Sequence, residues 1–242
     1  MIICGAQTKP VTGNIEANIE KHLLFIERAL SHGTDLIVFS ELSLTGYEPT
    51  LARTLATQAD DSRFNAFQNT SNTNKVVIGV GVPTRERERL FISMVLFQPN
   101  MRPLIYSKKY LHADEDPFFV EGVNFPSLKI NNTSIGLAIC YELSIPEHSS
   151  AAHRSGAEVY VASVAKFARG VENAAKALSD ISIKYSIPSM MINAIGPADN
   201  GACTGNSAVW NANGKLIGQL GNSEEGLIMY DTASGAVIQK TM

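Results

Sequence analysis

The chain has 242 residues, of which 45% are hydrophobic, and its formal net charge is −3. This length and apolar content suffice for one large core, so we predict a single domain over residues 1–242. No run of about 18 apolar residues and no cluster of Lys or Arg is present, which argues against a membrane span and a nucleic-acid partner. The N-terminal residues lack a signal-peptide pattern, and an odd number of cysteines suits a reducing compartment, so we predict a cytoplasmic protein.

Strands and helices alternate along the whole chain, as hydrophobic periodicity indicates. Predicted strands are Ile2–Gln7, Asp35–Ser40, Lys75–Pro83, Leu90–Gln98, Phe125–Ile130, Thr133–Cys140, Val159–Ser163, Ser189–Ala194, Ser207–Asn211, Lys215–Leu220 and Gly226–Asp231. Predicted helices are Ile15–Leu30, a helix in two pieces within Leu51–Thr73, about Pro146–Ser155 and roughly Val171–Tyr185. Strand pairs with tight turns, mixed with βα units, predict an α/β protein with mixed sheets and helices outside them.

The sequence also predicts the structure of three segments between these elements. Asn131-Asn132 is expected to form a hairpin turn, and the charged segment Arg85–Arg89 is expected to connect two neighbouring strands. The small-residue segment Gly201–Gly205 is expected to be a loop, with Cys203 in it as a bystander thiol.

Three polar residues follow apolar segments at predicted strand ends: Glu41 after LIVFS, Cys140 after SIGLAI, and Lys108, which closes a further predicted strand, PLIYSK at residues 103–108. Strand carboxyl ends are where open α/β proteins build their sites. A carboxylate, an amine and a thiol brought together there supply a base, an electrophilic stabiliser and a nucleophile, which is hydrolase chemistry. Taken singly, each has another interpretation: Cys140 as a small core residue, Glu41 as a cap or ion pair, and Lys108 as an exposed amine that competes with Lys109.

The residues flanking these positions resemble the motifs of the nitrilase, or carbon–nitrogen hydrolase, superfamily. Residues 39–47 (FSELSLTGY) are similar to its F-P-E-x-x-L-T-G-Y segment, and residues 106–111 (YSKKYL) to Y-R-K-x-H-L. Residues 114–122 match D-E-x-x-x-F-x-x-G, and residues 139–147 (ICYELSIPE) resemble I-C-Y-D-x-R-F-P-E. The resemblance covers nearly the whole chain and assigns the lysine of its motif to Lys108. Departures at several flanking positions leave the branch, and therefore the substrate, open.

The resemblance implies a role for each matched residue. Cys140 would attack the carbon of an amide or nitrile and form a thioester or thioimidate, while Glu41 would act as general base. Lys108 would stabilise the tetrahedral intermediate, with the backbone N–H of Tyr141 as a second oxyanion donor. Glu115 would hydrogen-bond the lysine and orient the substrate.

The resemblance also implies a four-layer α-β-β-α sandwich that pairs into homodimers or higher oligomers and needs no cofactor. The five histidines show no ligand spacing, and Cys4 and Cys203 have no ligand partner nearby in sequence, so no metal site is predicted.

The substrate is the least determined property. We expect a small amide, cleaved at a non-peptide carbon–nitrogen bond with release of ammonia or an amine. The same residues would serve a nitrilase or an N-carbamoyl amidohydrolase, and a catalytically silent binding or scaffold protein is the alternative from another class. Lys166 and Arg169 are candidates for holding a substrate carboxylate, although two solvated loop cations are the alternative interpretation.

Overall fold

The computed structural model describes residues 1–123 and 127–242. Its strands are β1 Ile2–Gln7, β2 Leu36–Phe39, β3 Val77–Glu86, β4 Arg89–Phe97, β5 Leu104–Ser107, β6 Ser127–Ile130, β7 Thr133–Ile139, β8 Val159–Val164, β9 Ser189–Asn193, β10 Ile195–Ala198, β11 Gly201–Thr204, β12 Ala208–Trp210, β13 Leu216–Gln219, β14 Gly226–Asp231 and β15 Val237–Thr241. Its α-helices are α1 Ile15–Leu30, α2 Ala52–Leu55, α3 Asn65–Asn74, α4 Pro146–Arg154 and α5 Ala168–Tyr185. Short 3₁₀ helices cover Pro49–Leu51, Ser62–Phe64 and Cys140–Ser144.

Two mixed sheets pack face to face with helices on their outer sides. The first has seven strands in the order β15-β14-β1-β2-β3-β4-β5, and the second has six in the order β13-β12-β9-β8-β7-β6. The core between them joins side chains of both sheets, such as Val38 of β2 and Val161 of β8, and α4 and α5 cover the second sheet. A second core, which includes Phe25 of α1 and Phe67 of α3, covers the first sheet. The predicted α/β sandwich of mixed sheets with helices outside is confirmed.

One hydrogen bond between the sheets aligns the strand ends that carry the candidate residues. The Ser163 hydroxyl of β8 donates to the backbone oxygen of Phe39, the last residue of β2, at 2.8 Å. Ser163 also pairs with Ile139, the last residue of β7, in a parallel register. Because Phe39 lies two residues before Glu41 and Ile139 directly precedes Cys140, the turns after β2 and β7 are brought to the same end of the sandwich.

Two predicted connections are wrong in part. Strands β3 and β4 continue into the charged segment Arg85–Arg89, where Glu86 pairs with Arg89 and leaves only two residues as the turn. The segment Gly201–Gly205 is not simply a loop, because its first four residues form β11 and pair antiparallel with β10. The ends of β3 and β4 in this charged segment and the first residues of β11 are exposed, and there the paired backbone groups outweigh the weak strand preference of charged and small side chains.

Other elements lie close to their predicted bounds. Asn131 and Asn132 both have positive φ, 48° and 72°, and form the expected hairpin turn. The predicted strand Phe125–Ile130 is observed from Ser127, and residues 125 and 126 lie outside the described ranges. Strand β15 was not predicted, because it is an exposed edge strand without an apolar run. Within the described ranges, no helix is long and apolar enough to cross a membrane.

Candidate active site

Lys108 lies at the centre of a buried ionic group. It directly follows β5, its side chain is fully buried, and its Nζ donates to Glu41 Oε1 at 2.8 Å and to Glu115 Oε1 at 2.6 Å. Burial alone would lower the pKa of Lys108, but the charges of Glu41, Cys140 and Glu115 outweigh it and raise the pKa above its ordinary value. The amine therefore stays a cation at neutral pH.

Glu41 lies in the turn after β2, and a glycine on the neighbouring strand makes room for that turn. A Cβ at Gly81 would lie 2.5 Å from both the Ser40 oxygen and the Leu42 nitrogen, so a larger residue would displace the backbone around Glu41. Burial raises the pKa of Glu41, and the charge of Lys108 opposes that rise. Glu41 Oε2 is buried and makes no hydrogen bond of standard geometry with the described part of the chain. It is the oxygen available to take a proton.

Cys140 adopts a backbone conformation that L-residues rarely occupy. It begins the 3₁₀ helix after β7 with φ of +47°, in the left-handed region, which turns the chain sharply at the sulfur. Burial raises the pKa of Cys140 to about 11 and the charge of Glu41 adds to this, whereas the charges of Lys166 and Lys108 and a hydrogen bond from the Ala165 backbone N–H oppose it. The resting residue is therefore a thiol that needs a base at the moment of attack.

Glu115 is held on both carboxylate oxygens. Oε1 accepts hydrogen bonds from Lys108 Nζ and, at 2.9 Å, from the Tyr47 hydroxyl, and Oε2 accepts the His112 backbone N–H at 2.8 Å. The acidic segment around Glu115 therefore does not simply face solvent, since this carboxylate is buried against the lysine. Its contact with Lys108 leaves that side chain little freedom to move.

Lys109 and Tyr141, the residues that follow Lys108 and Cys140 in the sequence, each contact an aromatic ring. Lys109 is half-buried, and its Nζ lies 5.6 Å from the centroid of the Tyr110 ring rather than in the ionic group. Tyr141 is half-buried and its ring meets that of His112 edge-on at 5.2 Å, while its backbone N–H directly follows the thiol-bearing residue. The structure thus brings Lys108, and not Lys109, to the two carboxylates.

Lys166 and Arg169, the other predicted candidates, separate in the structure. Lys166 is half-buried after β8, and its charge lowers the pKa of Cys140. Asn193 fixes its backbone, because Asn193 Oδ1 accepts the Lys166 N–H at 2.8 Å and Nδ2 donates to the Lys166 oxygen at 3.0 Å. Arg169 lies exposed in the first turn of α5.

The sequence predicted no role at the site for two residues, Tyr47 and Cys203. It placed the first in a motif and the second in a loop. Tyr47 stands in the matched FSELSLTGY segment, which was the only signal for its contact with Glu115. Cys203 is buried, and burial followed by the charges of Cys140 and Glu41 raises its pKa to about 12, so it lies within electrostatic range of the site. Nothing in its small-residue sequence context indicated this position.

The arrangement combines a cation, a buried carboxylate with one open oxygen, and a thiol on a sharp turn. These groups supply charge stabilisation, proton transfer and a nucleophile, the requirements of acyl transfer through a cysteine. Over residues 1–123 and 127–242, no group of three or more His, Cys, Asp or Glu side chains is placed to hold a metal ion. The fold and site define a cysteine-dependent hydrolase.

The sequence profile of the carbon-nitrogen hydrolase family matches residues 3–240. The chain therefore belongs to the carbon-nitrogen hydrolase family and is an enzyme of that class, as its motifs predicted.

Individual relatives have low sequence identity to this chain, but the similarity extends over most of its length. A probable nitrilase of Schizosaccharomyces pombe is 24% identical, covering 94% of this chain and 87% of its own length. The glutamine-dependent NAD(+) synthetase of Thermotoga maritima is 27% identical over 93% of this chain, which spans only 41% of that enzyme. Among solved structures, a mutant of the amidase from Nesterenkonia sp. AN1, which carries the Michael addition product of acrylamide at its active-site cysteine, superposes with a TM-score of 0.85 at 22% identity, covering 96% of this chain and 92% of that one. That likeness establishes a shared fold.

Proposed function

We propose that the protein is a cofactor-free amidase that hydrolyses the carbon–nitrogen bond of a small, non-peptide amide through a thioester on Cys140. One observation carries the proposal: Lys108 Nζ lies 2.8 Å from Glu41 and 2.6 Å from Glu115, and the pKa of Cys140 responds to the charges of Glu41 and Lys108. A buried cation beside a thiol and an available carboxylate oxygen has a direct use in acyl transfer.

Acylation begins when Glu41 Oε2 accepts the Cys140 thiol proton as the sulfur attacks the amide carbon. The raised pKa of Glu41 makes it a stronger base than an exposed carboxylate. The carbonyl oxygen becomes an oxyanion, stabilised by the Lys108 ammonium and by the Tyr141 backbone N–H. Glu41 then gives its proton to the nitrogen, the carbon–nitrogen bond breaks, and ammonia or an amine leaves a thioester on the sulfur.

Deacylation repeats the sequence with water as the nucleophile. Glu41 takes a proton from the water, the hydroxyl adds to the thioester carbon, and Lys108 again faces the oxyanion. Collapse of the intermediate breaks the carbon–sulfur bond, and the proton on Glu41 returns to Cys140. The products are a carboxylic acid and the free thiol, so no cofactor is consumed.

Glu115 keeps Lys108 in place through both halves. Its carboxylate accepts a hydrogen bond from the ammonium, as Glu41 does, and is itself held by Tyr47 and the His112 N–H. With two carboxylates around it, Lys108 stays charged while Glu41 gains and loses its proton.

The amidase from Nesterenkonia supports an amide substrate, since the two proteins share a fold and mutants of that enzyme are seen in complex with acrylamide and with butyramide. Lys166 favours an amide that also carries a carboxylate, because this half-buried cation already acts electrostatically on Cys140 and its backbone is fixed by Asn193. Arg169 is exposed and is the weaker candidate for that contact. We further propose a cytoplasmic homodimer without nucleic-acid or membrane partners.

A substrate panel tests the proposal. Purified protein is incubated with neutral amides, carboxylate-bearing amides, nitriles and N-carbamoyl compounds, and ammonia release is measured with Cys140→Ala as the control for contaminating activity. The expected result is turnover of at least one small amide that disappears in Cys140→Ala. Turnover confined to nitriles or N-carbamoyl compounds would reassign the substrate, and no turnover of any class would favour a silent binding protein.

A further inference from the structure

A second buried carboxylate, Glu142, lies between the two segments that carry the candidate nucleophile and the candidate lysine. It is fully buried, and its Oε1 accepts the backbone N–H of Lys109 at 2.6 Å and, more weakly, that of Tyr110 at 3.4 Å. Its Oε2 accepts the Ile139 backbone N–H at 2.7 Å and the Tyr106 hydroxyl. All four partners are donors, which suits an ionised carboxylate.

Two of these donors are adjacent in sequence to the candidate catalytic residues. Lys109 directly follows Lys108, and Ile139 directly precedes Cys140. The first belongs to the segment after β5 in the seven-stranded sheet, and the second ends β7 in the six-stranded sheet. Glu142 is therefore hydrogen-bonded to both sheets, one residue away from each of the two groups that must meet at the substrate carbon.

We propose that Glu142 is a positioning residue that sets the distance between the Lys108 ammonium and the Cys140 sulfur. It does not touch the reacting atoms. It holds the peptide after Lys108 against the turn that bears Cys140, so that the oxyanion forms within reach of the cation. This inference rests on the proposed function, because it assigns Lys108 and Cys140 the roles given above.

A chain of hydrogen bonds orients the Glu142 carboxylate. Tyr106 donates to Glu142 and lies 3.0 Å from His148 Nε2, while His148 Nδ1 lies 2.8 Å from the Tyr160 hydroxyl. Burial lowers the pKa of His148 to about 4, so the ring is neutral. Since the Tyr106 proton points to Glu142, Nε2 donates to the Tyr106 oxygen and Nδ1 accepts from Tyr160. Each donor in the chain points towards the carboxylate.

A purely local role for Glu142 would predict something different. Its contact with the Ile139 N–H spans three residues and caps the 3₁₀ helix, whereas the contact with Lys109 spans 33 residues and joins two sheets. Loss of the cap alone would weaken folding and leave each folded molecule fully active. Loss of the bridge would misplace Lys108 relative to Cys140, and a displacement of about 1 Å costs on the order of 10²-fold in rate.

The test compares three variants with wild type on the best amide of the panel. Glu142→Gln replaces an acceptor with an amide group facing backbone donors, and Tyr106→Phe removes only the hydroxyl that orients the carboxylate. Ser71→Ala is the control, because it removes a fully buried hydroxyl of α3 that donates to the Val76 backbone oxygen, outside the chain that orients Glu142. Rates are expressed per folded molecule, with the folded fraction measured by circular dichroism.

We expect kcat to fall about 10²-fold in Glu142→Gln and about tenfold in Tyr106→Phe, with KM unchanged in both and Ser71→Ala near wild type. Wild-type kcat per folded molecule in Glu142→Gln and Tyr106→Phe, or an equal loss in Ser71→Ala, would overturn the inference. If Glu142→Gln does not fold, Tyr106→Phe decides alone.

Failure of the proposed function looks different from failure of this inference. It would show as a wild-type protein that turns over none of the compounds, and the second-order rate of Cys140 alkylation then replaces kcat as the readout. Glu142→Gln is expected to change that rate and Ser71→Ala to leave it unchanged, whereas equal rates in Glu142→Gln and wild type would refute the positioning role.

Discussion

Replacing Lys108 with alanine removes the cation from the centre of the ionic group. The side chain is fully buried and bonds Glu41 at 2.8 Å and Glu115 at 2.6 Å, so both buried carboxylates lose their charged partner. Removing one partner of a buried ion pair destabilises a protein by about 3–5 kcal/mol. Loss of one oxyanion stabiliser lowers kcat by about 10²–10³-fold. We therefore expect Lys108→Ala to have both a lower kcat and a lower free energy of unfolding than wild type.

Lys109→Ala is the matched control. Its side chain is half-buried beside the Tyr110 ring and outside the ionic group, and the backbone N–H that Glu142 accepts remains in the variant. Both variants are assayed for ammonia release at saturating amide, and their free energies of unfolding are measured by urea titration. A wild-type kcat in Lys108→Ala, or a larger loss in Lys109→Ala, would refute the assignment.

The stability loss in Lys108→Ala should depend on pH with a definite sign. Burial already raises the pKa of Glu41, and Lys108 is the charge that opposes the rise, so its removal moves the pKa of Glu41 further up. A carboxyl whose pKa is higher in the folded state than in the unfolded state binds more protons in the folded state. Its contribution to the free energy of unfolding therefore falls as the pH rises above the unfolded-state pKa, about 4.3. The deficit relative to wild type should be smaller at about pH 5 than at about pH 8, and the opposite trend would contradict the sign.

The remaining predictions concern the nucleophile, the substrate carboxylate and assembly. Cys140→Ala and Cys140→Ser should abolish turnover while changing the free energy of unfolding by no more than about 1 kcal/mol, because little volume is lost; turnover at the wild-type rate would remove Cys140 from the mechanism. Iodoacetamide should label Cys140 before Cys4 and Cys203 in peptide mapping, because Cys140 is 9% exposed and the other two are 0% and 4% exposed. Burial raises the pKa of all three thiols, and the rise is smallest for Cys140; earlier labelling of either other thiol would count against this order. Lys166→Ala should raise KM for carboxylate-bearing amides and spare neutral ones, with exposed Arg169→Ala as its control; equal effects on both substrate types would make Lys166 a surface charge. Sedimentation at micromolar concentration should show a dimer, and a monomer would refute the expected assembly.

Local sequence was informative wherever one segment determines its own structure. The apolar runs before Glu41, Lys108 and Cys140 predicted strands, and strands end directly or closely before all three residues. Asn131 and Asn132 predicted a turn that needs positive φ, and both adopt it. Ordered motifs then predicted the family that the profile match establishes.

Local sequence was misleading where backbone pairing decided the structure. The charged segment Arg85–Arg89 has no apolar alternation, yet β3 and β4 extend into it because each supplies hydrogen-bond partners to the other. Strand β11 is built from small residues with weak strand preference, and its pairing with β10 is what orders it.

The residue types at the candidate site were therefore determined by the sequence, and their mutual placement was decided by the tertiary structure. Nothing in the segment around Glu142 indicates that its carboxylate accepts a backbone N–H 33 residues away, and nothing near Ser163 indicates a bond to the Phe39 oxygen. The first contact joins the segments that follow β5 and β7, and the second joins β8 to β2, so both exist only after the two sheets have packed. Periodicity and motifs report forces that act within a few residues along the chain, whereas the distance between a thiol, a carboxylate and an amine is set by the packing of the core between the sheets.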